Sequence, residues 1–500
     1  MSRLRGRWLD DDHHEDDGVW GMPVPEPPPA YEPKRRGNWI DDDGEIAETA
    51  DRRVKPKEPY KVPGWTGVAK GLAAFAFVVM ALLGFLGNGN IARALVVAPV
   101  LAFIAYHLAQ RFAATDGEPA IADILMGGLA VKFLGVLGRY WIGSQVYGRS
   151  DATEYVIWGR KIAPGLRHFH LIDIGRLRGT NFIRVVTGVI FAITPASPMV
   201  GYLVFGFMSY VGMIFFWRAF KRAMPNAPDL RYLQLLMILP SLAFWPSSIG
   251  KDAWMVMGVG IASYGVANIL TNRTFLGWGT FIVGVYAVLA VRPHVGIALF
   301  AGLVIAELFR ARGSQGAGRA AVSILLLFFI GSVVMSSAAA FLGIDNWSKA
   351  SVNQELGDVG NRTSEGRSEF QPTPVNSPVQ FPLGAFTVLF RPMPYETHSP
   401  QEFASSIENI ALIVIVLISL PRLWTLLAQS RRRPYVLYCL GTITVFIIEY
   451  SSFSNFALIA RQRTQITALL LAFLCLPKTA PVEVDAPRVR TGRSQHSEDL

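Results

Sequence analysis

Asp151 and Glu154 stand three apart in the run Ser150-Asp151-Ala152-Thr153-Glu154-Tyr155, directly after a membrane-length apolar stretch. On a helical turn that spacing, with Tyr155 at i+4 from Asp151, gathers two carboxyls and a phenol on one face. Carboxylates held beside a bilayer are candidates for acid–base work or cation binding. The competing reading of each is a solvated loop carboxylate, since neither residue is specific alone.

Other ionisable groups recur between apolar stretches. Lys251 and Asp252 close the run Phe244-Trp245-Pro246-Ser247-Ser248-Ile249-Gly250-Lys251-Asp252, where a plain turn needs only small polar residues. An interfacial Trp anchor with a local ion pair is the alternative there. Arg292 and His294 flank Pro293, as a substrate contact or as a snorkelling Arg beside a helix-starting proline. Arg391 and Glu396 lie in the stiff segment Phe390-Arg391-Pro392-Met393-Pro394-Tyr395-Glu396, and Arg461 and Arg463 precede the last apolar stretch. Gathered around one cavity, these groups suit a phosphate-bearing substrate. Arg forks bind phosphate oxygens while a carboxylate takes the proton of an acceptor hydroxyl.

No metal site is assigned. His294 has no H-x-x-H or H-x-x-x-H partner, and His168 and His170, in a loop with Asp173, read better as solvated histidines than as ligands. Lys132 lies inside the third apolar stretch, where charge is costly. Asp123 and Arg139 are its nearest company in sequence, and packing, pairing and water contact all stay open for it.

The elements that position these residues are membrane helices. The chain has 500 residues, 51% hydrophobic and only 17% charged, with mean hydropathy +0.33, too little charge for a soluble surface of this size. A bilayer core of about 30 Å takes roughly 20 apolar residues. Twelve stretches read as spans: 65–86, 91–110, 122–143, 198–219, 232–247, 252–270, 275–291, 294–310, 319–343, 407–424, 434–451 and 464–477. The segment 181–195 is interrupted by Arg184 and ended by prolines, so it reads as interfacial or re-entrant. The expected fold is an all-α polytopic bundle over 63–478 with two larger external loops, 144–197 and 344–406, the second an irregular cap. Polar tails fill 1–62 and 479–500 and carry too little apolar surface to fold alone.

The net charge of +10 sits mostly in short loops, which points to membrane orientation rather than nucleic acid. Arg218/Lys221/Arg222/Arg231, Arg310/Arg312/Arg319 and Arg431/Arg432/Arg433 fall on one side. By the positive-inside rule that side is cytoplasmic, with both termini, in a multi-pass plasma (inner) membrane. Every candidate site residue above then lies outside. Cys439 and Cys475 sit in apolar stretches and suggest neither a disulfide framework nor a zinc site.

An apolar span followed by an external acidic motif, Asp151-Ala152-Thr153-Glu154-Tyr155, resembles the GT-C superfamily of membrane glycosyltransferases. The run Val186–Phe191 leading to Pro195-Ala196-Ser197, a span ending in Arg218, and the Pro240-to-Asp252 stretch add to the likeness, which covers roughly 122–310 and, more weakly, the last span. The resemblance implies inverting transfer from a polyprenyl-phosphate sugar. Asp151 then acts as base on an acceptor hydroxyl with Glu154 as rival, and Tyr155, Lys251, Asp252, Arg292, His294, Arg391, Glu396, Arg461 and Arg463 serve as substrate contacts. The chain departs from the pattern in having two extra spans before the motif, a single Asp151 rather than a doubled acidic motif, and no soluble domain after the bundle.

The implied partners are membrane lipid, the lipid-linked sugar and a glycan or protein acceptor of the cell envelope. A divalent cation is the one cofactor left open. Two other functions compete: a polysaccharide polymerase, which takes a lipid-linked oligosaccharide, and a lipid or glycan transporter, which needs functional charges near mid-membrane, where Lys132 is the only strong example. No P-loop, G-x-G-x-x-G, H-E-x-x-H or G-x-S-x-G motif supports energy coupling or common hydrolase chemistry.

Overall fold

The apolar stretches fold as helices because a segment in hydrocarbon must satisfy every backbone group internally. A computed structural model describes residues 60–145, 151–170, 173–271, 274–310, 317–343, 348–364, 368–424 and 433–477. The expected tails fall outside the described residues, apart from 60–62, as do Arg312, Arg431 and Arg432. The chain divides into units 1–58 and 59–500, and only the second is described.

Nineteen α-helices form among the described residues: α1 Gly64–Phe85, α2 Gly89–Asp116, α3 Ala120–Gln145, α4 Asp151–Arg167, α5 Thr180–Ile193, α6 Pro198–Ala223, α7 Asp229–Ile238, α8 Pro240–Phe244, α9 Lys251–Leu270, α10 Thr274–Leu289, α11 Pro293–Leu308, α12 Ala317–Leu342, α13 Lys349–Thr363, α14 Phe381–Phe390, α15 Pro400–Ile418, α16 Leu420–Leu423, α17 Pro434–Tyr450, α18 Phe456–Gln462 and α19 Thr464–Leu474. Among the described residues, an isolated antiparallel bridge between Glu369 and Asn455 is the one β feature.

Seven of these helices are long and apolar enough to cross a membrane: α1, α2, α3, α6, α9, α12 and α15. The expectation of twelve full spans is therefore corrected. The other five stretches fold as short or broken helices. Pro240 has no N–H to continue α7, so 232–247 becomes α7 and α8. The stretches 275–291, 294–310, 434–451 and 464–477 give helices of 16, 16, 17 and 11 residues.

Two expected loops are also corrected. Most of 151–193 is a helix pair, α4 packed on α5, and the half-apolar 181–195 forms the 14-residue α5. The 344–406 segment is not an irregular cap, since it carries α13, α14 and the start of α15. Ser399 caps α15 by accepting from Glu402 N.

The bundle core brings α6, α9 and α10 into close contact through small residues, as membrane helices do. A Cβ at Gly212 of α6 would lie 2.6 Å from Val256 O of α9, so the helices meet backbone to backbone. Gly201 faces Ile249 and Arg222 reaches Thr271, which makes α6 and α9 parallel, with α7 and α8 as the return. Gly265 facing Phe281 sets α10 antiparallel to α9. His294 against Tyr450 and Gly302 against Thr442 do the same for α11 and α17.

This topology places the first turns of α9 and α11, the last turn of α17 and the start of α18 at one end of the bundle. At the other end Arg218 pairs with Asp116 at 2.7 Å, and Lys221 pairs with Asp116 at 3.0 Å and with Asp229 at 3.2 Å.

Candidate functional site

Asp252 is the centre of the first cluster. It opens α9, where the helix N-terminus favours a carboxylate, and it is only 2% exposed. Arg292 donates to Asp252 Oδ1 from both Nη1 and Nη2 at 3.2 Å, while Arg461 donates from Nε to Oδ2. Pro293 at the first position of α11 fixes the backbone turn that aims Arg292 here. Arg461 also lies 3.8 Å, through Nη1, from Asp151 Oδ2. One guanidinium therefore joins the carboxylate of α9 to that of α4.

Asp151 and Asp252 differ in the way that matters for chemistry. Asp252 is enclosed and doubly paired, whereas the Asp151 side chain is 73% exposed and free to meet a solute. Asp151 and Arg461 line a cavity of about 410 Å³ with Arg139, Tyr202, Trp245 and Asn455. Arg139 lies over Phe244 and Trp245, 5.1 and 5.2 Å from the ring centroids. Lys251 is half-buried in the field of Asp151, Asp252, Arg292 and Arg461. Four cations thus face two carboxylates, an excess suited to an anionic ligand.

Tyr155 is buried beneath Asp151, and burial, with the Asp151 carboxylate second, pushes its hydroxyl up to about 12. Arg461 is held above the ordinary guanidinium range, chiefly by Asp252. Glu154, the rival acid, does not line the cavity.

Four other expected contacts, Arg391, Glu396, Arg463 and His294, stand elsewhere. Arg391 donates to Glu396 Oε1 from Nε at 2.9 Å and from Nη2 at 2.6 Å, and its guanidinium sits 4.9 Å from the centroids of Phe370 and Phe456. Arg463 is 4% exposed and donates to Leu389 O and Arg391 O, both at 3.0 Å, and to Asn409 Oδ1. It braces the end of α14 rather than facing the cavity, and burial lowers its guanidinium to about 10. His294 Nε2 meets the Tyr450 hydroxyl at 3.1 Å.

Lys132 Nζ donates to Leu242 O at 2.6 Å, satisfying a carbonyl of the broken α7–α8 crossing. Asp123 pairs with Lys70 instead. Among the described residues no group of three His, Cys, Asp or Glu side chains gathers around one point. Both Asp252 oxygens are already taken by guanidinium groups, so this donor set does not fit a protein-held divalent cation.

Sequence reasoning missed Tyr202, Gln401 and Asn455 as cavity-lining groups, because each is a lone polar residue with no local motif. Arg139 carried a signal as a charge inside an apolar stretch, but its place is over Phe244 and Trp245 rather than beside Lys132. The chain matches no protein-family model, no curated protein and no solved structure.

Proposed function

We propose that this chain is a membrane glycosyltransferase that moves a sugar from a polyprenyl-phosphate carrier to a hydroxyl of an envelope glycan or protein on the external face. The observation that carries the reading is the pair Asp151 and Arg461 on one cavity, with Asp252 buried behind Arg461. Asp151 takes the proton of the acceptor hydroxyl, the acceptor oxygen bonds the anomeric carbon, and the bond from that carbon to the carrier phosphate breaks. Arg461 and Arg139, which line the cavity, stabilise the charge left on the phosphate, and Lys251 adds to the positive field from outside the lining. Asp252 holds Arg461 and Arg292 in place without touching the reactants.

A second chamber of about 590 Å³, lined in part by Trp141, Ile142 and Pro392, shares Trp245, Gln401 and Ala457 with the first. An apolar chamber opening beside a cationic one suits a phosphate carrying a hydrocarbon chain. The transporter reading loses its main support, because Lys132 is occupied in holding Leu242 O.

The reading is tested by incubating the purified chain with polyprenyl-phosphate sugars and following release of polyprenyl phosphate. Release that needs an acceptor supports it, and no release with any donor contradicts it. Sidedness has a separate test. A Gly357→Cys variant in intact cells is expected to react with an impermeant thiol reagent from outside, and labelling only after lysis would reverse the orientation.

A further inference from the structure

The helix pair α4–α5 carries charge of one sign. Past Glu154 the two helices hold no acidic residue but four cations, Arg160, Lys161, Arg167 and Arg184. They stand at the end of the bundle where Asp151 meets Arg461, opposite the Arg218 and Lys221 cluster. Positive-inside orientation therefore does not account for them.

Two of these guanidinium groups are aimed by the backbone. Arg160 Nε donates to Ala196 O at 3.1 Å, and Arg167 donates from Nε to Ala192 O at 3.0 Å and from Nη2 to Phe191 O at 2.9 Å. Those carbonyls lie in the last turn of α5 or just past it, where a helix leaves its oxygens unmatched. The tether uses only part of each fork. Both residues are exposed, and Arg160 Nη1 and Nη2 and Arg167 Nη1 have no hydrogen-bond or ion-pair partner among the described residues. Pre-set, open guanidinium nitrogens of this kind suit phosphate oxygens.

The surface beside them is apolar and lies at the edge of the membrane helices. Ile157, Val189 and Ile193 are exposed, Ile193 at 81%, next to the carbonyls that hold Arg167. Ser197 Oγ donates to Asn90 O at 3.1 Å, which fixes the end of α5 at the first turn of α2. The exposed Phe85 and Leu86, which close α1, lie at the same turn. Since α1 and α2 are both of membrane length, that turn marks the edge of the hydrocarbon. Aliphatic groups and cations side by side at that level are the pattern of helices lying on a bilayer surface.

We infer that the Arg160–Arg167 face of α4–α5 docks on anionic phospholipid headgroups of the surrounding bilayer, with Val189 and Ile193 seated at the top of the acyl chains. Arg160 and Arg167 are two helical turns apart, about 10 Å, so each meets a phosphate of its own. The contact does not rest on the transferase reading. It anchors the helix that Asp151 begins.

The test places a fluorophore on Ile193→Cys in the purified full chain, reconstituted in vesicles. Cys439 and Cys475 are both buried, so the new thiol takes the label. Quenching is compared between phosphatidylglycerol and phosphatidylcholine, each with a nitroxide on its upper acyl chain. The anionic lipid is expected to quench more strongly, by about fivefold for each guanidinium engaged. Arg160→Gln with Arg167→Gln is expected to bring the ratio near one. Where the double variant does not fold, Arg160→Gln alone is expected to lower the ratio about fivefold. Arg160→Lys keeps the charge without the fork and is expected to keep the preference, which a purely structural tether to Ala196 O does not predict. Four outcomes overturn the inference: no quenching by either lipid, equal quenching by both, an undiminished preference in folded Arg160→Gln, or equal loss in Arg160→Gln and Arg160→Lys.

Discussion

Arg461 and Asp252 form an ion pair across 209 positions of sequence, and the same guanidinium reaches toward Asp151 with Nη1. The pair ties the start of α9 to the segment before the last helix. The site therefore depends on the folding of nearly the whole bundle.

Asp252→Ala is expected to leave Arg292 without its carboxylate in an enclosed site and Arg461 with Asp151 alone. Removing one partner of a buried pair costs about 3–5 kcal/mol. Thermal unfolding in detergent should show a clear fall in midpoint, and a wild-type midpoint would contradict the buried pairing.

Tyr155 provides a pH test. Its folded value of about 12 lies above the ordinary phenol, so the stabilisation it contributes is complete below about pH 10 and is lost as pH rises through 12. Subtracting the absorbance titration of Tyr155→Phe from that of wild type should reveal a phenolate that forms only well above pH 10. A phenolate completed by pH 10 would mean that Tyr155 is solvated.

Arg463→Ala should loosen the junction of α14 and α15 rather than abolish chemistry. The loss of charge-assisted bonds to Leu389 O and Arg391 O is worth about 1.5–3 kcal/mol each before relaxation. Limited proteolysis should cut faster between 389 and 409, and an unchanged digestion pattern would count against the bracing role.

Gly212→Ala should strain the α6–α9 contact, at a cost of about 1–3 kcal/mol, because the new methyl meets the Val256 carbonyl. The measurement is again the unfolding midpoint. Gly357→Ala, with open space at its Cβ, serves as the neutral control.

The apolar stretches were legible because burial in hydrocarbon writes itself into composition. Every one of the twelve stretches became helix, though only seven reached span length. Length was misjudged where tertiary packing takes over: Pro240 splits one crossing, and α10, α11, α17 and α19 stop short.

The gathering of Asp151, Lys251, Asp252, Arg292 and Arg461 was legible because each is an ionisable group at the rim of an apolar stretch, and the topology sends those rims to one end. Arg391, Glu396 and Arg463 carry the same signal yet serve the local frame, since only three-dimensional distance separates a brace from a contact. α4 and α13 were passed over because each is an amphipathic helix without the continuous apolar run that marks a span.

The most direct measurement is the rate of sugar transfer by Asp151→Asn beside Glu154→Gln, each shown to be folded by its unfolding midpoint. Loss of a general base lowers turnover by about 10²–10⁴, and that fall is expected for Asp151→Asn, with Glu154→Gln near wild type because Glu154 does not line the cavity. Full transfer activity in Asp151→Asn would contradict the account.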